Sequence, residues 1–168
     1  MRRLRPLIVL AVLLGLAPVS HAVEPLPVPA GPVLLTISGA IEATNAPGEA
    51  RFDRAMLEGL GKASIRTHSV WSEELQHFEG VPLRAVIERV GAKGTSILAT
   101  ALNAYEVTIP LSDLQYDPLI AMRLDGRVLT LRDKGPLWIV YPRDDHDVLK
   151  DLRFDSRWIW NLNRLQVE

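Results

Sequence analysis

Leu119-Ile120-Ala121-Met122-Arg123-Leu124-Asp125-Gly126-Arg127-Val128-Leu129-Thr130-Leu131 carries two apolar runs on either side of Asp125-Gly126. An Asp-Gly pair suits the two central positions of a type I′ turn, both of which need positive φ, so the spacing predicts a β-hairpin over 119–131. Working outward, strand-like runs are expected at 96–102 and 105–109 on one side, and at 136–141 and 158–167 on the other. Further upstream lie a strand at 33–38 ended by Gly39 and another at 65–71. Two short helices interrupt the series. Asp53 can cap the first, with Phe52 and Leu57 as a hydrophobic staple and Gly61 as its end. Pro82 suits the first position of the second, where Leu83, Val86, Ile87 and Val90 follow at helical spacing before Gly91. The expected fold class is α+β, predominantly β: one domain with mixed sheets and a few short helices.

Composition narrows the function. With 48% hydrophobic and 23% charged residues among 168, the chain has the make-up of one ordinary globular domain. It contains no Cys, which excludes disulfides, Cys-ligated zinc or iron–sulfur centres, and thiol nucleophiles. Arg2, Arg3 and Arg5, the apolar run 7–16 and Ser20-His21-Ala22 have the layout of a cleavable export signal over 1–22, too short for a comfortable membrane span. A periplasmic location is therefore expected. Glu24-Pro25-Leu26-Pro27-Val28-Pro29 reads as an extended leader (23–32) that lifts the domain (33–168) away from the export site. Loss of 1–22 removes three Arg and no acid, taking the formal charge from −1 to −4. A mildly acidic domain without a basic stripe is a poor partner for nucleic acid.

The common catalytic layouts are missing. His68, His77 and His146 show no metal-ligand spacing, and Asp144-Asp145-His146-Asp147 reads as a solvated acidic turn rather than a calcium loop. No nucleophile elbow, Ser-x-x-Lys or phosphate loop occurs. Four Trp (Trp71, Trp138, Trp158 and Trp160) are the more informative feature. They suit either core filling or a stacking wall for a flat heterocycle, and Trp158 and Trp160 are expected on one face of a strand. A pterin edge alternates donors and acceptors that Asn103, Asn161 and Asn163 can match, although each also suits a turn or the surface.

Thr67-His68-Ser69-Val70-Trp71, Phe78-Glu79-Gly80-Val81-Pro82-Leu83, Ala101-Leu102-Asn103-Ala104-Tyr105 and Arg132-Asp133-Lys134-Gly135-Pro136-Leu137-Trp138-Ile139-Val140-Tyr141-Pro142 form an ordered series. This series resembles the oxidoreductase molybdopterin-binding domain of the sulfite-oxidase fold, from about Val33 onward. In catalytic members of that fold a Cys thiolate ahead of the Gly-x-Pro-Leu helix binds molybdenum, four residues before a Trp in the methionine-sulfoxide-reductase type. Here Thr67 stands four before Trp71, and a neutral hydroxyl does not replace a soft thiolate. A small, exported, Cys-less form is similar to periplasmic pterin-binding regulators of the PruR type. That resemblance implies a reduced pterin without molybdenum, no catalysis, and a partner in the periplasmic domain of an inner-membrane signalling protein that makes and degrades cyclic-di-GMP.

It also implies a pterin site. Thr67, His68, Ser69 and Trp71 would line the place of the lost metal, with Asn103 and Tyr105 beside them. Tyr141 and Trp160 would be ring contacts, and Arg132, Lys134, Arg143 and Arg157 would meet a phosphate or diol side chain. Two other readings stay open: an oxidoreductase subunit that keeps redox activity, and an assembly module with an empty pocket.

Overall fold

A computed structural model describes residues 24–168; the predicted export signal lies outside the described residues. Strands β1 (Leu35–Gly39) and β2 (Glu49–Phe52) precede helix α1 (Arg54–Glu58). Strands β3 (Ala63–Ser69) and β4 (Ser72–Pro82) form a long hairpin that runs into helix α2 (Leu83–Arg89). Strands β5 (Ser96–Ala101) and β6 (Glu106–Pro110) lead through a 3₁₀ turn at Leu111–Tyr116 to β7 (Leu119–Leu124), β8 (Arg127–Val128) and β9 (Trp138–Val140). Helix α3 (Leu152–Asp155) and β10 (Leu162–Val167) follow. One sheet has the order β2-β1-β10-β5-β6, mixed because β1 and β10 are parallel. The other has the order β3-β4-β7-β8, with β9 also on β7, and is antiparallel throughout. The α+β, mostly β expectation holds.

Local chemistry explains the elements. Asp125 and Gly126 take φ of 49° and 76°, as the type I′ reading requires. The Asp125 carboxylate and N–H also bond the backbone of His77, fixing the hairpin tip to β4. Residues Leu119 to Met122 and Trp138 to Val140 are buried on both faces, which accounts for their continuous apolar runs. Helix α1 starts where expected. Asp53 accepts from the Met56 N–H, Phe52 and Leu57 are both buried, and the cap falls at Gly59 rather than Gly61.

Three expectations need correction. Strand β8 ends at Val128, because the chain turns through a 3₁₀ segment at Leu131–Asp133 closed by the Thr130 hydroxyl on Asp133. The run 158–167 is no single strand: Asn161 has φ of 52°, and β10 begins only at Leu162. Trp158 and Trp160 therefore lie ahead of β10, in a segment that runs antiparallel to 137–139. Finally, the proline-rich leader does not hold the domain at a distance. Leu26 is buried, Arg89 donates to the carbonyls of Glu24 and Pro25, and the Asn45 amide donates to that of Pro27. Asp53 accepts from the N–H groups of Ala30 and Gly31 at 2.8 Å each. The leader is a strap on the body.

A buried polar triad ties the far side of the core. The Tyr141 hydroxyl donates to Asp113 (2.9 Å), and Arg157 meets the same carboxylate oxygen at 2.6 Å while stacking on Phe154. Burial, reinforced by the Asp113 charge, pushes the Tyr141 phenol well above its ordinary value.

Two outcomes follow from these contacts. Backbone donors, Met56 first and Gly31 next, hold the Asp53 carboxyl below its ordinary value. A depressed folded-state pKa gives stability that is complete above the ordinary carboxylate range, near pH 4, and fades as pH falls through the depressed value. Asp53→Asn should therefore lower the melting temperature at pH 7, with the gap to the native protein closing below about pH 4. In the triad, Arg157→Ala strands a buried carboxylate and should cost about 3 kcal/mol in urea unfolding. Tyr141→Phe, which leaves the ion pair intact, should cost about half as much.

Candidate ligand-binding site

The segment 158–162 positions the site. Ile139 N–H donates to the Ile159 carbonyl and Leu162 N–H to that of Leu137, while Trp138 and Trp160 form a bridge pair. Asn161 fastens this segment to its neighbours. Its N–H donates to the Lys134 carbonyl, its amide to the carbonyls of Leu131 and Gly135, and its own carbonyl accepts from Leu102. Asn161 is thus committed to backbone and is not a free ring contact.

The four Trp converge. Trp71, in the turn between β3 and β4 rather than on β3 itself, packs its ring against Trp160 at 5.2 Å, Trp158 at 6.0 Å and Trp138 at 6.3 Å between centroids. Trp138 and Trp158 are buried and rest on Phe78 through edge contacts. Two of the four are core, while Trp160 is partly exposed and Trp71 is 41% exposed. The ammonium of Lys134 lies 4.6 Å from the Trp138 ring centroid and 5.3–5.4 Å from those of Trp71 and Trp160, a cation–π arrangement. Among the described residues no carboxylate pairs with it, and burial holds its pKa below the ordinary lysine value. The indole N–H groups of Trp138 and Trp158 are buried without a hydrogen-bond partner, each an unmet cost of about 1–3 kcal/mol.

Beside this cluster, Ala101, Asn103, Tyr105, Ile159 and Trp160 line a recess of about 130 Å³. Asn103 accepts from the Tyr105 N–H, which shapes the turn, and the Tyr105 hydroxyl donates to the Ser156 carbonyl. A larger hollow, about 350 Å³, lies between α1 and the β4–β7 pair. It is lined by charged side chains such as Lys62, Glu79 and Arg123, has no aromatic ring, and contains none of the predicted site residues. Of the two, only the smaller recess has aromatic rings in its lining.

The β3 end is arranged differently. Thr67 and Ser69 are buried on one face and His68 is exposed on the other. The Thr67 hydroxyl accepts from the Asp144 N–H and donates to the His68 carbonyl; the Ser69 hydroxyl donates to Gln76. The Asp144 carboxylate meets both the N–H and the ring Nδ1 of His68, at 2.8 and 2.7 Å. Burial pushes the Asp144 carboxyl up, but the His68 bonds outweigh it and leave the group below its ordinary value. The acidic turn is therefore stapled to β3 through Asp144. Thr67 offers a neutral oxygen already engaged on both sides, a poor ligand for a soft metal ion.

The predicted site thus divides. Asn103, Tyr105 and Trp160 line the recess, while Trp71 and Lys134 lie outside its lining and adjoin it through the Trp160 ring. Thr67, His68 and Ser69 stand along the adjoining strand. Tyr141 and Arg157 do not line the recess; the Asp113 triad occupies them inside the fold, because a buried carboxylate needs both donors. Arg132 is exposed on the 3₁₀ turn at Leu131–Asp133 and is outside the recess lining. Arg143 sits near Asp155 and the carbonyl of Lys150 instead. Asn163 lies on β10.

Residues 62–144 match the family model described as the oxidoreductase molybdopterin binding domain, from just before β3 to the turn after β9. No curated protein sequence matches the chain. Among solved structures, the sulfane dehydrogenase SoxCD from Paracoccus pantotrophus superposes with a TM-score of 0.59 at 18% identity, over 79% of this chain. The match covers 37% of the SoxCD chain, so the likeness is one of fold. Residues 62–144 are thus of the oxidoreductase molybdopterin binding domain type.

Proposed function

We propose that this domain is a periplasmic pterin receptor that performs no redox chemistry and regulates an inner-membrane signalling protein of the cyclic-di-GMP synthase or phosphodiesterase type. The observation that carries this reading is Thr67. In a molybdopterin-binding domain without a single Cys, the thiolate position holds a buried alcohol whose hydrogen bonds are spent within the fold. A flat heterocycle finds what it needs nearby: ring faces at Trp160 and Tyr105, and unpartnered donors at the Trp138 and Trp158 indoles and Lys134. The export-signal layout of residues 1–22 supports the periplasmic assignment. Regulation requires that the partner distinguish the loaded domain from the empty one, because equal affinity shifts no equilibrium.

Tetrahydrobiopterin titrated into the purified protein should bind saturably, with quenching of Trp fluorescence. Trp160→Ala should weaken that binding about tenfold or more, since base-on-aromatic stacking contributes about 1–3 kcal/mol per ring. Protein purified from its native host should carry no stoichiometric molybdenum by elemental analysis. Stoichiometric metal would instead favour the oxidoreductase reading, and absence of pterin binding would favour an assembly module.

A further inference from the structure

Trp71 is an unusual member of its cluster. A core indole is normally enclosed by regular structure, whereas this one hangs from the turn joining Ser69 to Ser72, just beyond the shift in β3–β4 register between Thr67 and Ser69. It is 41% exposed, yet its ring contacts three other indoles. Two of the indoles it contacts, Trp138 and Trp158, have buried N–H groups without a hydrogen-bond partner, and the Lys134 ammonium over its ring has no carboxylate beside it among the described residues. An indole offers these donors a π-face but no lone pair.

We infer that Trp71 is a displaceable plug: its side chain occupies a seat floored by Trp138 and Trp158 and walled by Trp160 and Lys134, and a fused bicyclic heteroaromatic ring with a carbonyl or ring-nitrogen acceptor edge binds by taking its place. The shape argument is direct, because an indole and such a ligand are both planar bicycles of similar area. The chemical argument is that the incoming ring supplies the acceptors that Trp71 lacks. Burial lowers the Lys134 pKa, which agrees with an ammonium short of an acceptor. The Ser69–Gln76 and His68–Asp144 bonds do not involve Trp71, so its ring can leave without breaking them. This inference deepens the reading of the cluster as a flat-ring site, and it predicts the sign of a substitution that an ordinary stacking wall would reverse.

The test uses Trp71→Gly and, should that variant fold poorly, Trp71→Leu, with indole and oxindole as probes. Oxindole is indole's shape with an added carbonyl. Indole N–H resonances of ¹⁵N-labelled protein report the seat directly. Indole should bind the variant saturably and shift the Trp138 and Trp158 signals, while leaving the native protein unchanged. Oxindole should bind about fivefold tighter than indole, the worth of one hydrogen bond, and Lys134→Met should reduce that preference. Tetrahydrobiopterin should bind the Trp71 variant more tightly than the native protein. A folded variant whose Trp138 and Trp158 signals ignore both probes would overturn the inference, as would weaker tetrahydrobiopterin binding on loss of Trp71. If indole and oxindole fill the seat while tetrahydrobiopterin binds neither protein, the plug stands and the pterin assignment falls.

Discussion

The pairing of 158–162 with 137–139 is the constraint on which the rest of the molecule depends. It carries the chain from the antiparallel sheet, through β9, into β10 at the centre of the mixed sheet. One short antiparallel run therefore joins the two halves of the core and sets three of the four Trp at one place. A left-handed Asn161 makes this possible. It ends the run, releases the chain toward β10, and spends its side chain on carbonyls that the sharp turn at 131–135 would otherwise leave exposed.

Much of the fold could be read from the sequence because the signals were local. Asp125-Gly126 needs nothing beyond its own φ preferences to make a hairpin, and Asp53 caps α1 with a side chain three residues from the N–H it accepts. Where the sequence misled, the deciding interaction was distant. The alternation Trp158-Ile159-Trp160 looks like a strand, and only the contacts of Asn161 with 131–135 reveal the break. Each proline of the leader suggested a free polyproline segment, since no local pattern indicates that Arg89 and Asn45 will capture its carbonyls. Strand β2, β4 beyond its last residues and helix α3 carried too little periodicity to announce themselves.

The site was legible by residue type more than by position. Aromatic content and the Asn-x-Tyr stretch pointed to Trp71, Trp160, Asn103 and Tyr105, and these share one region. Tyr141 and Arg157 were chosen by the same logic and belong to a buried ion-paired triad, because a sequence does not distinguish an arginine facing a ligand from one facing Asp113. Lys134 was read as a phosphate or diol contact, whereas its ammonium rests on indole faces. The missing signal is the burial of Trp138 and Trp158, which turns a charged side chain toward rings rather than toward water.

Four indoles held 5.2–6.3 Å apart in successive contacts are also coupled chromophores. Transition dipoles this close, in ring planes inclined at 58–89° to one another, exchange excitation and produce a circular-dichroism couplet whose sign follows the mutual orientation of the dipoles. The molecule thereby carries a built-in optical gauge of its own interior geometry, responsive to any rotation of one ring against the others and requiring no attached label.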